Sequence, residues 1–235
     1  MTFDIEPLLK RFRNSSPQEL LEWALNQFGD ELVLVTSFQK EGMVLIDTAS
    51  RLNRPFRVAT IDTGRLHEET HAFIDRVRKH YGLRLEVYFP DAEAVRRMVS
   101  EHGSNLFYYS IEARLQCCRF RKVEPLQRIL KGARAWITGL RAEQWVTRRN
   151  IHRIERDAEH GGILKLNPLA DWSEQQVDRY IRRYRVPIHP LYAEGYTSIG
   201  CAPCTRPVRK GEHPRAGRWW WEGDARKECG MHCSV

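Results

Sequence analysis

Residues 32–52 read LVLVTSFQKEGMVLIDTASRL, and this stretch decides the fold. Its pattern predicts a strand over residues 32–36, a polar loop, and a helix over residues 43–52. A strand rich in valine and leucine without polar alternation is typical of a parallel sheet that is covered on both faces. The loop contains Ser37 and Phe38 and ends at a helix N-terminus, where backbone N–H groups can bind an anion. The stretch therefore predicts a strand–loop–helix unit that is able to bind an anion.

The same order of strand and helix recurs further along the chain. Apolar runs predict three more strands, and amphipathic runs between them predict helices. The strands are residues 56–61, 83–88 and 135–138, and the helices are residues 67–80, 92–101 and about 111–130. Pro125 and the neighbouring cysteines predict a kink in the last helix. The alternation predicts an α/β fold with a doubly wound, mainly parallel sheet and right-handed crossovers.

Local signals place the remaining elements. Ser16-Pro17-Gln18-Glu19 is a capping box that opens the first predicted helix. Residues 153–155 and 163–166 predict a hairpin, and Ser173 caps a helix over about residues 174–183. From residue 187 onward prolines, glycines and aromatic residues dominate. We therefore expect residues 187–235 to form an irregular C-terminal extension.

The composition of the 235-residue chain limits the class of protein. It is 42% hydrophobic and 29% charged, which is typical of a soluble protein with a sizeable core. Residues 1–6 lack the pattern of an export signal, so we expect a cytoplasmic protein in a reducing compartment. The net charge of +8 favours an anionic ligand such as a nucleotide. Because the arginines are dispersed and no apolar run reaches roughly 20 residues, we expect neither a nucleic-acid nor a membrane partner.

Two further polar loops follow predicted strands. Asp62-Thr63-Gly64-Arg65 comes after the second strand, and Gly139-Leu140-Arg141 comes after the fourth. In doubly wound sheets, ligands bind beyond the carboxyl ends of the strands. These two loops and the loop at Ser37 therefore predict a ligand site along one edge of the sheet.

Four of the six cysteines form two pairs, which suggests a metal site. Cys201 and Cys204 stand in a Cys-Ala-Pro-Cys turn, a common ligand arrangement for zinc or iron–sulfur. Cys117 and Cys118 are neighbours on a predicted helix, where successive side chains point about 100° apart. Both can reach one zinc ion only if the backbone is distorted, whereas a 4Fe–4S cluster offers separate iron atoms. The spacing therefore favours the cluster over zinc.

Cys229 stands apart near the end of the chain and is a candidate nucleophile. Lys227 and His232 flank it, and cationic neighbours lower the pKa of a thiol. A redox pair of Cys229 with Cys233 is the alternative. Lys122 comes one helical turn after the first cysteine pair, so we expect it on the same face.

Taken together, these motifs resemble those of assimilatory adenylyl-sulfate (APS) reductases of the thioredoxin-dependent type, within the 3′-phosphoadenylyl-sulfate (PAPS) reductase family. The similarity runs from about residue 30 to residue 232. The matching segments are Ser37 to Gly42, Ile61 to Arg65, Cys117 to Lys122, Gly139 to Gln144, Leu166 to Trp172, Ile199 to Arg206, Gly217 to Glu222 and Lys227 to His232. The combination is specific to this family, although each segment alone is not.

The resemblance implies an adenine nucleotide alpha hydrolase-like fold. From the sequence we expect a nucleotide-binding α/β domain over residues 1–186 that includes the first cysteine pair. We expect residues 187–235 to hold the second cysteine pair and a mobile catalytic tail. It implies a 4Fe–4S cluster held by Cys117, Cys118, Cys201 and Cys204. The implied catalytic residues are Cys229, Lys122 and His232. The residues implied to bind the substrate are Ser37, Phe38, Asp62, Thr63, Gly64, Arg65, Gly139, Arg148, Arg215 and Arg218.

The implied activity is reduction of APS to sulfite and AMP. It proceeds through an S-sulfocysteine on the enzyme, which thioredoxin or a glutaredoxin-like reductant releases. Relatives without the two cysteine pairs lack the cluster and generally use PAPS, so the intact pairs favour APS. We also expect a homo-oligomer.

Four alternatives arise. Lys40, in a loop where many relatives have small residues, could accept a 3′-phosphate, which would make the enzyme a dual APS and PAPS reductase. Trp145 and Arg149 depart from the family pattern, so either Arg148 or Arg149 can meet the phosphosulfate. An iron–sulfur redox sensor that binds nucleic acid would need a recognition helix, and none is evident. A tRNA-thiolating enzyme is disfavoured because its glycine-rich loop is missing at Ser37.

Overall fold

The computed structural model describes residues 4–223, Glu228 and Met231. Within these residues, no helix combines the length and the apolar character needed to cross a membrane. The strands are β1 (Leu32–Val35), β2 (Arg57–Ile61), β3 (Leu85–Tyr88), β4 (Ala135–Ile137), β5 (Ile154–Asp157) and β6 (Ile163–Leu166). The helices are α1 (Ile5–Phe12), α2 (Pro17–Phe28), α3 (Lys40–Ser50), α4 (Glu68–Tyr81), α5 (Ala92–His102), α6 (Ile111–Cys118), α7 (Glu124–Leu130) and α8 (Glu174–Tyr184).

The predicted helix starts are confirmed by their caps. The Ser16 hydroxyl accepts the N–H of Glu19 at 3.2 Å, and the Glu19 carboxylate accepts the N–H of Ser16 at 2.6 Å. Ser173 and Gln176 form the same reciprocal pair at the start of α8. These bonds satisfy backbone donors that the first turn of a helix leaves without partners.

The described strands form a six-stranded sheet in the order β3-β2-β1-β4-β6-β5. β1 pairs in parallel with both β2 and β4, and β4 pairs in parallel with β6. β5 runs antiparallel to β6 and completes the predicted hairpin. The chain order reverses between β1 and β4, which is the place where doubly wound sheets bind ligands. The predicted fold class, a doubly wound and mainly parallel sheet, is confirmed.

The strands form where the sequence is apolar on both faces. Val33 and Leu34 in β1, Val58 in β2 and Trp136 in β4 are almost completely buried. Burying an aliphatic side chain contributes roughly 1.5–3 kcal/mol, so these central strands hold the sheet together.

The described part of residues 187–235 contains two 3-10 turns, Pro190–Glu194 and Ala202–Cys204, and a short bridge between Thr205 and Arg218. The predicted irregular extension is therefore present.

The chain divides into two compact units built from separate stretches of sequence. We call the first the strand unit (Met1–Ala59, Ile74–Glu86 and Leu130–Ile188). The second is the cysteine unit (Thr60–Phe73, Val87–Ile129 and His189–Val235). The expected functional division of the sequence at residue 186 stays a prediction.

The predicted helix over residues 111–130 is interrupted directly after the first cysteine pair. A π-helical turn, Arg119–Val123, separates α6 from α7, and the Glu124 N–H bonds to the carbonyl of Arg119, five residues back. Pro125 has no N–H with which to bond the carbonyl of residue 121. The predicted distortion is thus a widened turn, a feature that often occurs at functional sites.

Candidate functional site

The loop after β1 turns through a residue in the left-handed region of backbone conformation. The Thr36 hydroxyl accepts the N–H of Phe38 at 2.9 Å, and Phe38 has a φ of 56°. Its ring is buried, whereas Ser37 is exposed and accepts a 3.0 Å bond from the Gln39 amide. The large side chain at residue 38 therefore anchors the loop in the core and leaves the backbone and Ser37 at the surface.

Within the strand unit, the loop after β4 contacts the start of α3. A Cβ built on Gly139 would lie 2.9 Å from the Cβ of Glu41 and 3.3 Å from the N of Gly42, so only glycine fits there. The Glu41 carboxylate accepts a 2.8 Å bond from Nε of Arg141, and both side chains are largely buried. Arg141 also donates to the carbonyl of Trp172 at 3.1 Å. These contacts fix the loop after β4 against the start of α3.

The two arginines that follow this loop differ in exposure. Arg148 is buried, and its Nη1 lies 2.5 Å from the Gln144 side-chain oxygen. Arg149 is exposed. The bond to Gln144 gives Arg148 a fixed position, which favours it as the phosphosulfate ligand, and the choice stays a prediction.

In the cysteine unit, the loop after β2 is bonded to the second cysteine pair. Oγ1 of Thr63 lies 3.2 Å from Sγ of Cys201, and the carbonyl of Arg65 accepts the N–H of Ala202 at 2.8 Å. Asp62 holds the loop closed by accepting the N–H of Gly64 at 2.8 Å. A ligand bound by this loop would therefore lie beside the cysteines.

The two predicted cysteine pairs both lie in the cysteine unit as free thiols. Cys118, Cys201 and Cys204 are buried, and Cys117 is partly buried. Cys201 and Cys204 share an apolar cluster with Phe107 and Trp219, and Cys117 packs against that cluster. Within the described residues, no three or more His, Cys, Asp or Glu side chains are arranged to hold a single metal ion.

Burial makes two of these thiols, Cys204 and Cys117, hard to ionise on their own. Loss of hydration raises the pKa of Cys204 to about 11, and the neighbouring Cys201 adds to this effect. The pKa of Cys117 is raised for the same first reason, while Arg121 and Lys122 act in the opposite direction. These two thiols therefore need cations or iron to become thiolate ligands.

In the described part of the cysteine unit, buried cationic side chains outnumber buried carboxylates. Arg121 donates to the carbonyl of Thr63 at 2.7 Å, and Arg218 donates to the Ser198 hydroxyl at 3.2 Å. Neither guanidinium has a carboxylate partner among the described residues. The buried side chains of the cysteine unit with a full charge include Arg114, Arg121, Lys122, Arg215 and Arg218 against Glu222 and Glu228. Four thiolates holding an iron–sulfur cluster would balance this positive charge, so the residues fit such a group.

Several predicted residues cannot be placed. Cys229, His232 and Cys233 lie outside the described residues, as does Lys227, so their predicted roles stay predictions. Glu228 is described, and it is buried. Its carboxylate lies 3.7 Å from Nη2 of Arg215, the arginine predicted to bind phosphosulfate.

Sequence reasoning missed three side chains of this site, Arg114, Glu222 and Glu228. The one local signal was that Arg114 precedes Cys117 by three residues and Cys118 by four, which places it on the cysteine face of the helix. Glu222 pairs with Arg114 at 2.5 Å across 108 residues of sequence, and no local pattern predicts such a contact.

Comparison with known proteins supports the resemblance seen in the motifs. Residues 31–207 match the phosphoadenosine phosphosulfate reductase domain. The adenosine 5′-phosphosulfate reductase of Allochromatium vinosum is 50% identical over 220 residues, which cover 94% of this chain and 85% of the relative. That of Burkholderia cepacia is 49% identical, with 92% and 88% covered. A crystal structure of PAPS reductase from Candida auris in a phosphate complex matches with a TM-score of 0.74 and 31% identity, covering 88% of this chain and all of that one. The chain therefore belongs to the phosphoadenosine phosphosulfate reductase family.

Proposed function

We propose that this protein reduces adenylyl sulfate to sulfite and AMP in sulfate assimilation, with a thioredoxin-type dithiol as the reductant. The two bacterial relatives that share about half of its residues are named for this substrate. The observation that carries the proposal is the 3.2 Å contact between Thr63 and Cys201. It joins the loop implied to bind adenosine to the second cysteine pair, so substrate and cysteines would share one site.

The surroundings of Lys40 support APS as the substrate over PAPS. Its Nζ lies 2.8 Å from Asp178 and 3.9 Å from Glu174, both on α8. These two carboxylates compensate the positive charge of Lys40, which could otherwise attract the 3′-phosphate of PAPS. We therefore expect the turnover of APS to exceed that of PAPS.

A 4Fe–4S cluster would be held by Cys117, Cys118, Cys201 and Cys204. When bound, it would supply structural support and a local electrostatic field, because the electrons for the reduction come from the dithiol. The protein contributes Arg121, Lys122 and Arg218, whose charges favour thiolates over thiols at this place.

Reduction starts with the Cys229 thiolate, which attacks the sulfuryl sulfur of APS. A sulfur–sulfur bond forms, the bond from sulfur to the phosphate oxygen breaks, and AMP leaves with the electron pair. A thiolate of the reductant then attacks Sγ of Cys229 and displaces sulfite. The second thiol of the reductant restores Cys229 and closes a disulfide, so the dithiol supplies both electrons.

Basic side chains would neutralise the charge that develops on the leaving phosphate. Lys122 and Arg218 are buried in the cysteine unit, where low local polarity strengthens their interaction with an anion. Donors that are already in position for a transition state contribute about 3–4 kcal/mol each in well-studied enzymes. Arg218 is held by Ser198 and by its stacking on Trp219, 4.5 Å from the ring centroid, so it needs little reorganisation.

Replacement of the candidate nucleophile tests this function. On protein purified without oxygen, we expect Cys229→Ser to keep its iron and its affinity for AMP but to release no sulfite from APS and thioredoxin. Cys233→Ser is the matched control, and it should form the S-sulfocysteine at the wild-type rate. Sulfite release by Cys229→Ser would reject the mechanism. A Cys233→Ser variant that forms the adduct but releases sulfite more slowly than the wild type would favour the redox pair of the two tail cysteines, because Cys233 would then displace sulfite from Cys229.

A further inference from the structure

Arg114 lies at the centre of a buried ion network in the cysteine unit. Its side chain is fully buried, three residues before Cys117 on α6. Nε of Arg114 lies 2.5 Å from Oε1 of Glu222, and the guanidinium stacks on Trp219, 4.4 Å from the ring centroid. The backbone N–H of Trp219 in turn donates to the carbonyl of Cys204 at 3.2 Å. Arg114 thus connects the helix of the first cysteine pair with the segment that packs on the second.

The same guanidinium also binds the chain next to the candidate nucleophile. Nη1 of Arg114 donates to the backbone carbonyl of Glu228 at 2.7 Å. That carbonyl belongs to the peptide bond that joins residues 228 and 229. The Glu228 side chain adds a second contact through its ion pair with Arg215. Two arginines from separate stretches of sequence therefore hold this one buried residue.

We propose that Arg114 is a positioning residue that fixes the chain at Glu228 and thereby sets the place from which Cys229 attacks the substrate. The inference rests on the proposed function, because it requires Cys229 to be the nucleophile. A peptide unit is planar, so an anchored carbonyl leaves few rotations between it and the next side chain. In enzymes, a misplacement of about 1 Å can reduce a rate by roughly 100-fold.

Arginine suits this task because its planar guanidinium offers five donors in fixed directions. It can meet the Glu222 carboxylate, the Glu228 carbonyl and the Trp219 ring at the same time. A lysine at the same position would offer one compact charge and could not serve all three. The geometry of the side chain, and not its charge alone, should therefore determine the rate of attack.

A pair of variants separates positioning from folding. Arg114→Met alone leaves the Glu222 carboxylate buried without its cation, which destabilises the fold. The double variant Arg114→Met/Glu222→Leu removes both charges together, so its stability should recover, but the bond to Glu228 stays lost. Glu86→Gln is the control, since it breaks a two-pronged pair with Arg57 in the strand unit.

The measurement is the rate at which anaerobically purified protein forms S-sulfocysteine on APS without reductant, followed by mass spectrometry of the peptide with Cys229. Urea midpoints, iron content and AMP affinity are measured in parallel. We expect the double variant to have near wild-type values for those three, but adduct formation that is about 10- to 100-fold slower. Glu86→Gln should form the adduct at the wild-type rate.

Each outcome decides one question. Equal rates in the double variant and the wild type would overturn the positioning role of Arg114. Absence of the adduct in the wild type would instead reject the proposed function, so the two failures are distinguishable. If the double variant does not fold, Arg114→Lys takes its place, because it keeps the charge beside Glu222. A wild-type rate in Arg114→Lys would likewise contradict the inference.

Discussion

A side chain at residue 139 would fill space that the first turn of α3 already occupies. We expect Gly139→Ala to weaken AMP binding and to lower the free energy of unfolding by about 1–3 kcal/mol, since Glu41 and the backbone at Gly42 must move. Titration calorimetry with AMP and urea unfolding measure the two effects. Gly223→Ala is the control, because no atom of the described residues lies within 4 Å of its added carbon. Equal loss in both variants would contradict the packing argument.

The positions of some site residues could be predicted from the sequence, but their long-range contacts could not. Ser37 and Gly139 follow apolar strands, and hydrophobic patterning over a few positions was enough to place them in loops after β1 and β4. The contact of Thr63 with Cys201 joins residues 138 apart, and that of Arg114 with Glu222 joins residues 108 apart. Such pairs follow from how the chain closes on itself, so no spacing in the sequence indicates them.

At the scale of elements, the π-helical turn Arg119–Val123 lies between α6, which carries the first cysteine pair, and α7. It therefore sets how α6 is rotated relative to α7. The turn holds one residue more than an α-helical turn. We expect deletion of Arg119 to restore a regular helix and to rotate Cys117 and Cys118 by about 100° relative to α7. The deletion variant should keep its helical circular dichroism but lose iron, measured on anaerobically purified protein.

The substitution Arg119→Ala is the matched control for this deletion. It removes the same exposed side chain, whose Nε lies 3.7 Å from Glu124, but keeps the number of residues in the turn. We expect this variant to bind iron as the wild type does. Iron at the wild-type level in the deletion variant would show that the widened turn does not position the cysteines.

The interruption of this helix could be predicted from the local sequence only in part. Proline and the paired cysteines correctly predicted a distortion between residues 111 and 130. The type of distortion was not predictable, because α- and π-helical turns differ by one hydrogen-bond position and share the same apolar periodicity. Arg121 and Lys122 lie within this turn and are both buried, so they depend on tertiary contacts that no local pattern indicates.

At the scale of the whole molecule, the net charge of +8 is distributed unevenly between surface and interior. Most basic residues are exposed, where solvent screens them. A smaller group is buried beside the cysteines, where each charge costs several kcal/mol of hydration unless an anion compensates it. The net positive charge indicated only that the protein prefers anionic ligands. The buried basic residues of the cysteine unit are the ones for which an anion matters most.

Unfolding of the molecule should depend on pH through Asp157. Its carboxylate accepts bonds from Nε1 of Trp136 at 2.9 Å and from His160 at 2.8 Å, in β4 and after β5. Burial alone would raise the pKa of Asp157, but the hydrogen bonds and the charge of Lys165 outweigh it and lower that pKa below its usual 3.8. A carboxyl whose pKa is lowered by folding stabilises the protein above its unfolded pKa, and this contribution is lost as the pH falls through the folded value.

We therefore expect Asp157→Asn to lower the free energy of unfolding by about 1–3 kcal/mol at pH 7, because buried partners lose a charged acceptor. The difference between variant and wild type should shrink as the pH falls below about 4, because the unfolded carboxyl takes up its proton first and the folded one follows at lower pH. Urea unfolding between pH 3 and pH 7 measures this difference. Asp75→Asn, which breaks an exposed pair with Arg78, should change stability little at any of these pH values. A difference for Asp157→Asn that stays constant across this range would show that the charge of Asp157 does not contribute to stability.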